Sequence, residues 1–264
     1  MWKPLIVFGI KGPYKKSPIV RALIALGPAY IKFGQLLSTR PDIVGADLAN
    51  ELKVLQDSLD PFPTTEAKKI VKEELGSPVE SIFSSFSDSV AAASIAQVNK
   101  ATVKETNELV AVKILRPDVE KVFLKDLAAL LFLAKFIEFI IPSFRRLKPT
   151  EVINHFERLV REELDLRMEI SAAAEFAENT KSDRNFYVPK VIWSLSGRRV
   201  VTTEWVDGMS VGDIERIKRS GVDIESFAKR IIKTFLTQAL RDGFFHGDMH
   251  QGNLKCRSDG TLIV

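Results

Sequence analysis

The run Leu109–Leu115, "LVAVKIL", constrains this chain more than any other stretch. Apolar residues crowd it, several of them β-branched, which is strand chemistry. It follows "SDSVAAASIAQVNKATV" (87–103) and the polar turn "KETNE" (104–108). Residues 87–116 therefore predict two strands joined by a hairpin-like connection, with Arg116-Pro117 ending the second. Helical patterns lie on both sides. Residues 18–40 read as helix broken near Gly27-Pro28. Leu48, Leu52, Leu55 and Leu59 give an amphipathic helix over 46–59. Thr64 or Thr65 caps a helix over 65–75 that stops at Gly76. Helix dominates from about Val119 to Thr180, interrupted at Pro142 and Pro149. "RRVVTTEWV" (198–206) is a strand, Asp207-Gly208 a hinge, 224–242 a helix, and "GTLIV" (260–264) a strand. Helices, a small sheet, helices, then strand, hinge and helix imply a two-lobed α+β fold with a cleft near the hinge.

Composition narrows the function classes. The 264 residues carry a net charge of +4, which suits a polyanionic ligand or an acidic membrane face and compels neither. Basic residues are dispersed without an aromatic stacking pattern, so nucleic acid is not an expected partner. The single cysteine, Cys256, leaves no internal disulfide and points to a reducing compartment. No cleavable signal is evident, so secretion is not expected. The apolar stretch "LAALLFLAKFIEFIIP" (127–142) is shorter than the roughly 20 residues of a span and holds Lys135 and Glu138. It predicts a buried helix or one lying on a membrane.

Two motifs carry chemistry. In "HGDMHQGN" (246–253), Asp248 sits in a glycine-flanked turn, where it can take a proton from a hydroxyl. Asn253, five residues on, can turn back to hold a metal beside phosphates. His246 and His250 are too few for a zinc site, and Gly247 disfavours a helix between them. In "VAVK" (110–113), Lys113 can hold the α/β-phosphates of a nucleotide. The tetrapeptide alone is weak. A strand lysine followed by an aspartate–asparagine loop, in that order, is strong. The loop before it is not glycine-rich but "VAAASIAQV" (90–98), whose Cβ atoms limit backbone approach to phosphates.

These residues resemble the UbiB/AarF-like family, atypical protein-kinase-like proteins tied to ubiquinone biosynthesis. "KFGQ" (Lys32–Gln35), inside "LGPAYIKFGQLLSTRPD", is similar to the family's KxGQ signature. "AAAS" (91–94) is similar to its alanine-rich loop, and "ELD" (163–165) to its ExD motif, with Glu169 following. The resemblance runs from about Leu23 to the last residue. It implies a protein-kinase-like two-lobed fold. A helical extension over 1–85 carries KxGQ, a small lobe spans 86–206, and 207–264 begin a large lobe.

The resemblance also implies roles. Lys113 would be the nucleotide lysine and Glu169 its carboxylate partner. Lys32 would reach Glu163, so that the extension covers the place of a protein substrate. Ala91, Ala92, Ala93, Ser94 and Glu204 would contact nucleotide. Asp248 would be the catalytic aspartate and Asn253 a magnesium ligand. The implied cofactors are ATP or ADP and Mg2+. The implied partners are quinone-precursor lipids and quinone-biosynthesis enzymes, with peripheral membrane contact, in a cytoplasmic, inner-membrane-associated or organellar-matrix setting.

On one continuous helix, 165 and 169 would share a face, with 163 about 120° away, so Glu163 and Glu169 need different partners. If buried, losing either partner costs roughly 3–5 kcal/mol. The Asp-Phe-Gly motif that the resemblance calls for does not follow "GTLIV". The expectation is a truncated large lobe, weak phosphoryl transfer, and a 224–242 helix with part of its apolar face uncovered. Two other readings compete. A small-molecule phosphotransferase of the aminoglycoside or choline kinase kind fits "HGDMHQGN" but not "KFGQ" or "AAAS". A non-catalytic scaffold binding nucleotide or lipid fits a truncated catalyst.

Overall fold

The structure, a computed structural model, describes residues 17–56, 60–247, 249 and 252–264. Asp248, His250 and Gln251 lie outside the described residues, as does Leu59. The chain divides into two units, 1–78 with 87–99 and 113–165, and 79–86 with 100–112 and 166–264. The fold is mixed helix and sheet, an α+β chain as the sequence implies.

The first unit begins with α1 (Pro18–Leu26) and α2 (Pro28–Ser38), each opening on a proline in its first turn. Gly27 joins them at φ 110, a backbone conformation that side-chain-bearing residues rarely adopt. Two short helices follow, α3 (Pro41–Val44) and α4 (Ala46–Leu52), and α4 tightens into a 3-10 turn over Lys53–Gln56. The expected helix over 46–59 is therefore shorter, yet its apolar stripe is real. Leu52 and Leu55 bury against Val20 and Ile31, with Leu23, Leu37 and Leu48 alongside.

Helix α5 (Thr64–Leu75) ends on Gly76 in the left-handed conformation. Neither threonine caps it. Thr64 sits inside the first turn, and its hydroxyl donates instead to Asp88 Oδ1 at 2.6 Å. Two long helices complete this unit. α7 (Val119–Ile140, after the short α6, Val79–Ile82) and α8 (Pro149–Glu163) pack together. α7 buries Val119, Phe123, Leu127, Leu130 and Ala134, a helical stripe. α8 buries Ile153, Phe156 and Val160, and Phe156 packs on Phe33 of α2 with ring centroids 5.3 Å apart.

Residues 83–115 form three strands, where the sequence suggests two. β1 (Phe83–Ala92) and β2 (Ala96–Val103) are separated by a turn within the alanine-rich stretch, and β3 (Leu109–Leu115) follows. Short alanine side chains satisfy strand and turn alike, so the reversal left no glycine or proline to mark it. The sheet order is β1-β2-β3-β5, with β5 over Val200–Glu204.

The second unit contains α9 (Leu166–Asn179) and a small sheet made of two-residue strands. Strand β4 (Phe186–Tyr187) pairs parallel with β8 (Leu262–Ile263), and β7 (Lys255–Cys256) runs antiparallel to β8 and to β6 (Met209–Ser210). Helices α10 (Ile214–Arg219) and α11 (Ile224–Thr237) are each capped by an aspartate, Asp213 and Asp223. Met209, Ile217, Phe227, Leu254, Cys256 and Leu262 form the core here. Along α11 and the π turn Gln238–Asp242, Ile232, Leu236 and Leu240 stand 61%, 49% and 86% exposed. That apolar face is uncovered, as the sequence led us to expect.

Asp126 of α7 has one buried carboxylate oxygen, Oδ2, with no hydrogen-bond partner among the described residues. Burial pushes its pKa up, and its charge, second to burial, helps raise that of Tyr30 on α2. A carboxyl whose folded pKa is raised stabilises the fold below its unfolded value, about 4, and loses that contribution as pH rises through the folded value. Asp126→Asn is therefore expected to raise the thermal unfolding midpoint at pH 7 and to leave it unchanged at pH 3. Melting curves at the two pH values check this.

Candidate functional site

The KFGQ segment lies in the middle of α2, and each of its polar or small positions has a visible job. Lys32 Nζ is 2.7 Å from Glu163 Oε2, the last residue of α8. Gly34 is buried where α2 meets the other helices. A Cβ there would overlap methyl groups of Leu55 and Leu23. Gln35 Nε2 donates to the Leu55 carbonyl at 2.8 Å and so caps the 3-10 turn from the side. Lysine, glycine and glutamine at this spacing thus give one ion pair, one close helix approach and one backbone anchor.

The Lys32–Glu163 pair is half-buried, with side chains 26% and 39% exposed. Solvent reaches both ends, so the buried-pair cost of 3–5 kcal/mol does not apply; a coupling of about 1 kcal/mol is the right scale. The continuous helix behind the angular argument is also absent. α8 stops at Glu163, Leu164 caps it, and α9 starts at Leu166, whose N–H donates to the Arg198 carbonyl. A fully buried Leu164 and Leu166 turn the chain there. Glu163 belongs to the first unit and Glu169, exposed in the first turn of α9, to the second. No single helix runs through both, so the angular argument does not apply to them.

The alanine-rich loop spans Ala93–Ile95 between β1 and β2. Ala91 and Ala93 are exposed, Ala92 is half-buried, and Ser94 is buried at 9%. Ala93 N–H donates to the Ala96 carbonyl at 2.8 Å, closing the turn. Behind it runs a polar ladder that sequence reading missed. Phe62 N–H donates to Gln97 Oε1 (3.0 Å), Gln97 Nε2 to Asn99 Oδ1 (3.2 Å), and Asn99 Nδ2 to the Ser87 carbonyl (3.0 Å). Gln97 and Asn99 are 1% and 0% exposed, and buried amides are kept only when bonded in this way. Amides two apart in a strand, on one face, were the available signal.

In the sequence Arg116 marks only the end of a strand. Its Nε and Nη2 both donate to the Ala93 carbonyl (3.1 and 3.0 Å), and Nη2 also donates to the Asp60 carbonyl at 2.9 Å. Burial, the largest influence, pulls its pKa down, though a guanidinium keeps its charge regardless. Lys113 lies on β3 on the sheet face opposite Val110, Val112 and Ile114, which are all fully buried.

In the second unit, the Glu204 carboxylate accepts from the Tyr187 hydroxyl and, at 3.4 Å, from the Lys190 N–H. Burial first, then Glu204, pushes the Tyr187 phenol up. Arg257 lies 4.3 Å over the Tyr187 ring. Trp205 takes Lys100 and Lys255 on its ring at 4.5 and 5.5 Å and donates Nε1–H to Asp207 at 2.9 Å. The expected hinge is packed: a Cβ on Gly208 would come within 2.9 Å of Lys255 Cβ. Past the π turn, Gly243 turns the chain at φ 64. Asn253 is exposed in the turn that follows. A magnesium ion is held by one or two carboxylates plus phosphate oxygens. Among the described residues Asn253 offers one amide oxygen, and no group of three or more His, Cys, Asp or Glu gathers.

Gly34→Ala is expected to cost about 1–3 kcal/mol by overpacking. A Lys32→Ala/Glu163→Ala double-mutant cycle is expected to give a coupling of about 0.5–1 kcal/mol, weakened by salt. Urea unfolding measures both.

Comparison with known proteins identifies relatives. The ABC1 atypical kinase-like domain matches residues 54–264. A probable protein kinase UbiB of Aliivibrio fischeri (strain MJ11) is 40% identical over 258 residues, covering 96% of this chain and 47% of that protein. One from Marinobacter nauticus is 36% identical over 261 residues, covering 95% and 48%. One from Pseudomonas aeruginosa (strain LESB58) is 42% identical over 234 residues, covering 88% and 44%. The chain spans about half the length of the relatives it matches. With its KFGQ, AAAS and ELD segments arranged as described, the chain belongs to the ABC1 atypical kinase-like family of UbiB/AarF-like proteins.

Proposed function

We propose that this chain carries the nucleotide-handling part of a UbiB-like atypical kinase or ATPase that serves quinone biosynthesis. The observation that supports this most is the Lys32–Glu163 pair, which joins the KFGQ and ELD segments at 2.7 Å. In this reading Lys113 holds the α/β-phosphates with Glu169 as its carboxylate partner, and the alanine-rich loop borders the nucleotide. Asp248 orients the acceptor, and Asn253 supplies one oxygen to Mg2+, which neutralises phosphate charge when bound. Glu204 borders the nucleotide, with its Oε2 held by the Tyr187 hydroxyl and the Lys190 N–H. In this reading the acceptor is a small molecule or water, because the family resemblance implies that the KFGQ extension covers the place of a protein substrate.

A lipid surface is the second partner we propose. No described helix is long and apolar enough to cross a membrane. Yet α7 exposes Phe132 (72%), Leu133 (51%), Phe136 (51%), Phe139 (79%) and Ile140 (55%) along one stripe. Lys125, Lys135, Arg145 and Arg146 flank it, while Lys121 and Lys148 are paired with Asp118 and Glu151. Glu138 is occupied by the Thr150 N–H. An apolar stripe with a basic rim matches an anionic bilayer surface, with the helix lying in the interface plane.

Two measurements test these readings. Titration with ATP and Mg2+ is expected to show binding that Lys113→Ala weakens at least about tenfold, the equivalent of 1.4 kcal/mol. Hydrolysis, if measurable, is expected to disappear in Asp248→Asn. No ATP binding, or binding indifferent to Lys113, removes the nucleotide reading. In flotation, the chain is expected to rise with phosphatidylcholine–phosphatidylglycerol vesicles, and less so after Phe136→Ser with Phe139→Ser. Failure to float removes the lipid surface.

A further inference from the structure

Arg116 ties three segments together. Its backbone N–H donates to the Ile95 carbonyl at 2.8 Å. Its guanidinium takes the Ala93 carbonyl through two nitrogens and the Asp60 carbonyl through one of them. It also lies over the Phe62 ring, 5.8 Å from its centroid. Phe62 is in turn fixed by Gln97 of β2, and Thr64 by Asp88 of β1. The "DPFP" segment, which looks like punctuation in the sequence, is thus fastened to both strands that flank the alanine-rich loop.

The consequence is a matter of peptide geometry. All described peptide bonds are trans. In a trans peptide, the carbonyl of one residue and the N–H of the next point to opposite sides. Holding the Ala93 carbonyl on Arg116 therefore turns the Ser94 N–H away from it. With the Ala93 carbonyl on the guanidinium and the Ile95 carbonyl on the backbone N–H of the same residue, two partial negative charges of the loop are held toward Arg116. A loop without glycine has little freedom to make this arrangement unaided, and a rigid guanidinium fork can impose it.

We propose that Arg116 is the positioning residue of the alanine-rich loop. It orients the loop peptides for an anionic ligand and couples their order to docking of the 60–64 segment. This rests on the reading of that loop as a nucleotide border. A lysine cannot replace it, because a single ammonium lacks the planar fork that serves two carbonyls.

The test compares the unaltered chain with Arg116→Ala, Arg116→Lys and Lys113→Ala. It uses amide hydrogen exchange and titration with ATP and Mg2+. Arg116→Ala is expected to speed exchange at 93–96 and at 60–64 together, with little change across α8. It is expected to weaken ATP about tenfold, and Arg116→Lys to fall between the two. Exchange that rises in neither segment, or in only one, overturns the coupling. Faster exchange with unaltered ATP affinity overturns the role toward the ligand. Loss of protection across the whole chain in Arg116→Ala passes the decision to Arg116→Lys, where unchanged exchange and affinity overturn the proposal. If the unaltered chain binds no ATP, the nucleotide reading falls. The exchange data then decide the coupling by themselves.

Discussion

The close approach of α2 to its neighbours at Gly34 is the constraint on which the first unit turns. Without a Cβ at Gly34 the helix settles onto the Leu23 and Leu55 methyls, which would otherwise have to shift. Once it settles there, Phe33 meets Phe156, Gln35 reaches the Leu55 carbonyl, and Lys32 comes to Glu163. The ion pair is then a result of apolar packing and not its cause. Its half-exposed ends agree: it adds register and little stability.

A second principle shapes the loop region. Kinase-like proteins commonly cradle phosphates with glycine-rich backbone, which is free to turn its amides inward. An alanine-rich loop lacks that freedom, and here the neighbouring structure restricts it further through Arg116, Gln97 and Asn99. Buried amides and a partly buried guanidinium are costly unless bonded, so their presence marks a segment that must keep one shape. In the proposed function, a fixed loop favours a small ligand set over adaptable substrate recognition.

Among the described residues two apolar surfaces stand uncovered, one on α7 and one along α11 with its π turn. They differ in surroundings. The α7 stripe is aromatic and rimmed by cations, a combination suited to a lipid headgroup layer. The α11 face is aliphatic, Ile232, Leu236 and Leu240 beside Lys229 and Lys233, and resembles the half of a helix-packing core. The relatives are about twice as long as this chain.

The sequence by itself determined the element types over most of the chain, the strand that bears Lys113, the break at Gly27 and the stop at Gly76. These follow from local rules: side-chain periodicity, proline's fixed φ and glycine's freedom. It also determined the family, because KFGQ, AAAS and ELD are chemical signatures that survive without coordinates. The tertiary structure alone decided three matters. It split the alanine-rich stretch into two strands and a turn, ended α8 at Glu163, and made Arg116 the anchor of the loop. In each, the deciding contact joins residues far apart in the chain, such as Leu166 with Arg198 or Asp60 with Arg116. Local propensity holds no record of such contacts, since burial and hydrogen bonding are fixed only when distant segments meet.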